Sequence, residues 1–382
     1  MFDHSQLNRV AAQDKDIIDI VDDLFRLACE YHPSLSRLSV VLCHESKVSN
    51  YFVADTLSDK IKNTYTEQTL KATCSLSRIA ESLENRIVND LNSLPPTKPI
   101  LGLLELGHKS SYTAPIHYQN KNFGFVFINA SSTEFFSNQL VLCDIAYLAQ
   151  LVSTLFIQLI ERQRHFQCSL TIALNIGHAR DPETKEHLIR MGKYSEQLAR
   201  TMSHSNNEIS PQFIHRIRLY APFHDIGKYR IPDKILFSTG RFTAEERAIM
   251  NNHTLYGEEM INDVLSLFHD NSLCCEEAQF IKNIVRHHHE RFDGKGLPDG
   301  LSKTEIPLEA RIVTLADVFD ALISKRVYKR AWSPDEVMRY IETHNGSMFD
   351  PECVEALKQN LDDFMSIREQ YRDVQSPQAA FA

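Results

Sequence analysis

The fold and the chemistry of this 382-residue chain turn on the stretch Phe223-His224-Asp225-Ile226-Gly227-Lys228. An imidazole and a carboxylate stand side by side at the end of an apolar helical run. Together they are a donor pair able to bridge two metal ions, and Lys228 adds a compact cation for a phosphate. Four further clusters lie on either side of it. Upstream is Asp181-Pro182-Glu183-Thr184-Lys185-Glu186-His187-Leu188-Ile189-Arg190. Thr184 is placed to start a helix there, and helical spacing would put Glu183 and His187 on one face. Downstream is His253, expected within a helix that begins near Ala244. Next comes His287-His288-His289-Glu290-Arg291-Phe292-Asp293-Gly294-Lys295-Gly296-Leu297-Pro298. Three of the chain's 12 glycines fall between Gly294 and Gly300, so a tight loop of defined shape follows the histidines. Last is Ala310-Arg311-Ile312-Val313-Thr314-Leu315-Ala316-Asp317-Val318-Phe319-Asp320, an apolar helix carrying carboxylates. A buried aspartate without a partner is costly, so Asp317 calls for a metal or a cation.

Any one of these clusters reads equally well as helix caps, surface histidines and salt bridges. Five of them in one helix-rich stretch do not. The histidine distribution agrees: of 17, twelve lie between His165 and His344. A mixed imidazole and carboxylate set suits iron, manganese or zinc better than calcium or magnesium. The absence of an HExxH pair disfavours a mononuclear zinc protease.

The net charge of -9 argues against a nucleic-acid polymer as partner, since such binding needs an excess of Lys and Arg. An anionic small ligand remains compatible with a local basic pocket. The eight cysteines are scattered without a CxxC pair, which points to reduced thiols and a cytoplasmic protein. No secretory signal opens the sequence.

The front half reads as mixed α/β. Asp16 to Glu30 has helical spacing. Ser36 to Cys43 and Lys47 to Ala54 read as a strand pair, and Ser75 to Leu91 as a helix. Ser111 to His117 and Phe123 to Ala130 read as a second strand pair around a turn at Asn120 to Asn122. A long apolar helix runs from Ser137 to about Gln167. Asp144, Gln150, Ser153, Thr154 and Gln158 within it argue against a membrane span. Its apolar face predicts a connector that pairs in a homodimer. The tail after Tyr371 is polar and expected to be frayed.

On this order of elements, and on Ala114-Pro115-Ile116 through Phe123-Gly124-Phe125-Val126-Phe127-Ile128, the front half resembles a GAF-type sensory domain. The back half, from about Thr171 to Leu361, resembles the HD-GYP phosphodiesterases, a branch of the HD metal-dependent phosphohydrolases. The matching stretches are RDPETKEHLIR, HDIGKYRIPDKIL, MNNHTLYGEEMI, HHERFDGKGLPDGL, IPLEARIVTLADVFDALISKRVYKRAW and GSMFDPECV. The expected organisation is α+β. A GAF-like sensory domain (1–136) is joined by a connector helix (137–168) to an all-helical HD-GYP domain (169–370), with a flexible tail (371–382).

The resemblance implies hydrolysis of cyclic di-GMP or a related cyclic dinucleotide in bacterial signalling, at a centre of two or three ions, iron or manganese foremost. It implies His187, His224, Asp225 and Asp317 as ligands of one ion. Asp225 would bridge to a second ion held by His253, His288 and His289, and Glu183 would support a third. Lys228 matches the lysine that contacts phosphate, so Lys228 and Asp225 carry the catalytic roles. Arg326 and Lys329 match basic residues that grip the ligand, beside the loop residues Gly296 and Leu297. His287 is extra to the pattern, and Arg190 reads either as a positioning residue or as a surface arginine.

One departure stands out: the family's Gly-Tyr-Pro loop is Gly296-Leu297-Pro298 here. Leu297 keeps an apolar contact but loses a phenol, so base preference or turnover is expected to change while the ion ligands survive. A mixed cyclic GMP–AMP is then a candidate substrate beside cyclic di-GMP, with cleavage to the linear dinucleotide or on to mononucleotides. The competing reading is a catalytically weak receptor that binds the cyclic dinucleotide and signals to a protein partner. The signal read by the front domain is not named by the sequence.

Overall fold

The computed structural model describes residues 2–44, 47–58, 65–70, 75–178, 184–238, 240–266, 275–324 and 331–373. The chain divides into two compact units, Met1–Arg164 with Ser210–Gln212, and His165–Ile209 with Phe213–Ala382. The fold class is α+β, a sheet-based unit followed by a helical one.

The first unit opens with α1 (His4–Ala11) and α2 (Ile17–Tyr31). Then come β1 (Leu35–His44), β2 (Lys47–Asp55), β3 (Glu67–Thr69), α3 (Ser75–Ser82), β4 (Arg86–Val88) and α4 (Lys98–Glu105). It closes with β5 (Ser110–Tyr118), β6 (Lys121–Ala130) and the first part of the 40-residue α5 (Gln139–His178), a helix that continues past the unit boundary at Arg164. The six strands form one antiparallel sheet in the order β3-β2-β1-β6-β5-β4. Asp16 caps α2 by accepting the Ile18 N–H, and the helix buries Ile17, Ile20, Val21, Leu24 and Leu27. Alternate residues of the central strands, Leu38, Val40 and Leu42 with Val126, Ile128 and Ala130, join that helix and Leu148, Val152 and Phe156 of α5 in one core. A smaller cluster of Val48, Ile79 and Phe125 lies with α3.

The sheet also encloses a polar network. His108 is fully buried between Ser36 (Nδ1 to Oγ 2.9 Å) and Asp55 (Nε2 to Oδ2 3.0 Å), and Arg37 Nη1 lies 3.1 Å from the same Asp55 oxygen. Asp55 Oδ1 accepts the Leu57 and Ser58 N–H groups, so the buried carboxylate is fully engaged.

Several expectations are corrected. The helix read over Ser75 to Leu91 stops at Ser82. Leu83 turns left-handed (φ 58°), and Arg86–Val88 pairs with β5 as an edge strand. The helix read to Gln167 runs on to His178. The short elements α1, α4, β3 and β4 were not read from the sequence. Within α5, the stretch Gln139–Asn175 is long and apolar enough to cross a membrane, but Asp144 is buried and its Oδ2 accepts from Phe2 N (2.8 Å) and His32 Nε2 (2.9 Å).

The second unit is built from α6 (Lys185–Met202), α7 (Pro211–Tyr220), α8 (Asp233–Leu236), α9 (Ala244–Asn251), α10 (His253–Ser266) and α11 (Cys275–His287). It continues through α12 (Leu308–Ile323), α13 (Pro334–Thr343), α14 (Pro351–Gln359) and α15 (Leu361–Gln370). Helix α12 is buried on nearly every side, as its continuous apolar sequence dictates. Tyr194 of α6 stacks on Phe364 of α15 at 4.6 Å, and Phe319 of α12 meets both rings edge-on. Thr184 caps α6 by accepting the His187 N–H. His253 begins α10 after a break at Asn252, so it is not inside the helix that starts at Ala244.

Candidate metal centre

Five segments of the helical unit contribute to one site. His187 sits in the first turn of α6. His224 and Asp225 follow α7 in a pair of 3-10 turns, His253 opens α10, His288 and His289 follow the end of α11, and Asp317 lies on α12. Two groups of donor atoms result, each with all members within 4.8 Å: His187, His224 and Asp317 in one, and Asp225, His253, His288 and His289 in the other. Seven of the eight ligands expected from the sequence are thus brought together. The eighth, Glu183, lies outside the described residues, as do Arg326 and Lys329.

The imidazoles are held so that their Nε2 atoms face inward. His224 Nδ1 lies 3.0 Å from Ala221 O, His253 Nδ1 2.6 Å from Met250 O, and His288 Nδ1 3.0 Å from Val285 O. A carbonyl can only accept, so each Nδ1 carries the proton and the neutral ring presents a lone pair at Nε2. His187 Nδ1 makes the equivalent bond to the Asp320 carboxylate at 2.8 Å. As a consequence His253 Nε2 and His288 Nε2 face each other at 3.4 Å as two acceptors. Burial also pushes the His288 pKa down, which favours that neutral form. Such an arrangement is satisfied by a cation between them, with each Nδ1 anchored by a second partner.

Asp225 lies between the two groups. Its Oδ1 is 3.1 Å from His253 Nε2 and 3.6 Å from His288 Nε2, and its Oδ2 is 3.2 Å from His224 Nε2. Burial alone would raise its pKa, but the Lys228 ammonium, with Nζ 2.7 Å from Oδ2, outweighs it and holds the carboxyl well below the usual range. The donor set, the fixed tautomers and the two-faced carboxylate all fit a pair of divalent ions.

Close backbone approach makes this geometry available. A Cβ at Gly227 would lie 1.9 Å from His253 O and 2.4 Å from Gly257 N. A residue without a Cβ at 227 is what lets the Asp225 turn reach the start of α10.

Three readings of the sequence are revised. Asp317 is partly exposed, and the buried aspartate of α12 is Asp320, which the sequence reading passed over. Two carboxylates three residues apart on an otherwise apolar helix were the available signal. Arg190 is 1% exposed and not a surface arginine: its Nε and Nη2 donate to Asp320 Oδ1 and Oδ2 at 2.6 and 2.8 Å. Of the tail read as frayed, the described residues 371–373 are engaged on that same guanidinium through Tyr371 O and Asp373, and 374–382 lie outside the described residues.

The glycine loop is held from below by Glu290, another residue the sequence reading left without a role. This carboxylate is buried, with its pKa raised by burial, and Oε1 accepts the N–H groups of Asp299 (2.8 Å) and Gly300 (3.1 Å). His287, Glu290 and Asp299 form a third His and carboxylate group, but Arg286 grips both Asp299 oxygens at 2.8 Å and supplies the positive charge there. Gly296 packs on the Glu290–Arg291 backbone, and Leu297 N donates to His289 O at 3.2 Å. The Leu297 side chain is 45% exposed, so the apolar contact expected of it is at best partial.

Residues 182–353 match the family model described as HD domain. This segment is an HD domain. Over 205 residues the chain is 38% identical to a probable cyclic di-GMP phosphodiesterase of Vibrio cholerae, covering 53% of this chain and 46% of the relative. It is 39% identical over 197 residues to a cyclic di-GMP phosphodiesterase response regulator of Xanthomonas campestris (52% and 48%). It is 37% identical over 194 residues to a 3'3'-cGAMP-specific phosphodiesterase of Vibrio cholerae (51% and 34%). The chain therefore spans about half or less of the length of these curated relatives. Among solved structures, similarity is found to the phycoerythrobilin-bound GAF domain of a cyanobacterial phytochrome (TM-score 0.34, 14% identity, 41% of this chain and 96% of that one). It is also found to a cyclic GMP-AMP specific phosphodiesterase of V. cholerae (TM-score 0.33, 21% identity, 52% and 49%).

Proposed function

We propose that this chain is a metal-dependent phosphodiesterase that opens a cyclic dinucleotide, cyclic di-GMP or 3'3'-cGAMP. The observation that carries the reading is the convergence of imidazole Nε2 atoms on the two oxygens of Asp225. Three Nδ1 atoms tied to backbone carbonyls, those of His224, His253 and His288, maintain it, in an HD domain whose curated relatives bear cyclic dinucleotide phosphodiesterase names.

His187, His224 and Asp317 would hold one ion, and His253, His288 and His289 the other, with Asp225 serving both. Two divalent cations in such a site supply an acidified water and charge neutralisation at the phosphoryl oxygens. The remaining work falls to the chain. Nδ1 anchors fix the tautomer and aim each Nε2, so no reorganisation is needed when charge develops. Lys228 Nζ is half-buried beside Asp225 and is the cation placed to receive a phosphate oxygen. Glu290 holds the loop bearing Gly296 and Leu297 in one shape and so fixes what lies against the substrate. Iron or manganese is the expected metal for this donor set.

The test is turnover under anaerobic conditions with iron or manganese restored, the two cyclic dinucleotides being supplied separately. The double variant His224→Ala/Asp225→Ala is the control. Linear product from the wild type and none from the control supports the reading and identifies the preferred ring. A fully metal-loaded protein that binds a ring tightly and never cleaves it would make the chain a receptor instead.

A further inference from the structure

The residues just after α15, read from sequence as a loose tail, meet the site from behind. Arg190 Nη1 donates to the Tyr371 carbonyl at 2.7 Å and to Asp373 Oδ1 at 3.0 Å, while its other two nitrogens hold Asp320. Asp320 in turn holds His187 Nδ1 at 2.8 Å. The same Asp373 Oδ1 accepts from Thr184 Oγ1 at 2.5 Å, and Thr184 Oγ1 accepts the His187 backbone N–H at 3.1 Å. A carboxylate 186 positions along the chain thus reaches His187 by two routes, one to its ring and one to its backbone. Arg368 Nη2 lies 3.6 Å from Asp373 Oδ2, and Lys193 Nζ stands 5.1 Å over the Tyr371 ring, so the segment is tied down from outside as well.

We propose that Tyr371–Asp373 is a clasp that positions His187 as a metal ligand, acting through Arg190–Asp320 on the ring and through Thr184 on the backbone. The proposal rests on the reading of the site as a two-ion centre. Its physical basis is directional. A ligand imidazole is oriented by the partner of its other nitrogen, and that partner is itself oriented by whatever holds it. A guanidinium has five N–H donors in a fixed fork. With two groups on Asp320 and the rest on the C-terminal segment, its plane is set by both ends. Release of Asp373 leaves the Tyr371 carbonyl as the remaining C-terminal acceptor of the fork, and also frees the Thr184 hydroxyl that fixes the start of α6. The ion of the His187, His224 and Asp317 group is the one affected. The ion of the Asp225, His253, His288 and His289 group does not touch this relay. Asp373 is a positioning residue and contacts no donor atom of the site directly.

The test uses the full chain and manganese, with ion number and affinity read by competition against a chelator. Asp373→Ala is expected to weaken one ion up to about tenfold, the low end of the range for a direct partner of a ligand because Asp320 stays in place, and to leave the other at wild-type affinity. Asp373→Glu should restore most of the loss, and Asp373→Asn, which keeps an acceptor and drops the charge, should fall between. Asp362→Ala, an exposed change on the same helical hairpin, is the control and should match the wild type. Thermal unfolding of the chelated proteins separates positioning from folding. Equal weakening of both ions in step with lost stability would overturn the clasp, as would unchanged affinity for both. A wild-type chain that takes up no ion would overturn the two-ion reading itself, and the clasp with it.

Discussion

The Gly227–Gly257 contact makes a prediction whose size can be worked from the geometry. In Gly227→Ala the new Cβ would start 1.9 Å from His253 O, where ordinary contact begins at 3.4 Å. The obstacle is backbone, as is Gly257 N at 2.4 Å, so no side chain can rotate away. Relief requires the Asp225 turn and the start of α10 to separate by about 1.5 Å. Asp225 Oδ1 and His253 Nε2, now 3.1 Å apart, ride on those two segments. Metal sites tolerate departures of about 0.2 Å in ligand distance. The ion of the Asp225, His253, His288 and His289 group should therefore be lost or weakened by at least about a hundredfold. Overpacking should cost the fold only about 1–3 kcal/mol. Gly257→Ala is the internal comparison. Its added Cβ meets the Val285 Cγ1 side-chain methyl at 2.3 Å and the Gly227 nitrogen only at 3.3 Å, so its main clash falls on packing against α11 and not on the backbone that carries Asp225 and His253. The assay is manganese stoichiometry and affinity, with circular dichroism to show that both variants fold. A folded Gly227→Ala protein holding two ions at wild-type affinity would refute the argument, and so would a Gly257→Ala protein that lost more than Gly227→Ala.

Glu290→Ala removes the acceptor for the Asp299 and Gly300 N–H groups and should raise KM about tenfold through a looser loop, with metal content unchanged. Steady-state kinetics beside metal analysis checks it, and a matching loss of metal would show that Glu290 supports the ligands instead. Asp55→Asn breaks a buried ion pair of the sheet and should cost about 3–5 kcal/mol at neutral pH, measured by urea unfolding. Burial works to raise the Asp55 pKa, but His108 and Arg37 hold it below the ordinary value, so its contribution is full above the carboxylate range and is lost as the pH falls through it. The wild type should therefore lose stability on that acid limb more steeply than the variant, and parallel curves would argue against the network.

What the sequence made legible was what repeats or is chemically rare. The alternation of Leu38, Val40 and Leu42 and the 3.6-residue spacing of Ile17, Ile20, Leu24 and Leu27 marked a strand and a helix, and the structure places both there. Three-residue elements such as β3 and β4 are too short for a period to show. They exist because a neighbouring strand offers unpaired backbone groups, a property of the assembled sheet. Ser75 to Leu91 illustrates the limit: its apolar residues satisfy a helical period, and the pairing of Val88 with Ser111 overrides it.

The site divides along the same line. Histidine and aspartate near glycine are rare enough to be noticed one by one, which is why His224, Asp225, His253, His288 and His289 could be singled out before any contact was known. Asp320, Arg190 and Asp373 are ordinary residue types with no local signature. The bonds that give them a role close over 130 and 183 positions of chain. Their burial is nevertheless the stronger physical statement. Arg190 carries a charge that cannot be lost, so at 1% exposure it must be surrounded by acceptors, and a chain that buries it has to bring two carboxylates and a carbonyl to one place. That obligation couples the end of the described chain to the first turn of α6. An HD domain folded to this pattern cannot move its C-terminal residues without altering what holds His187.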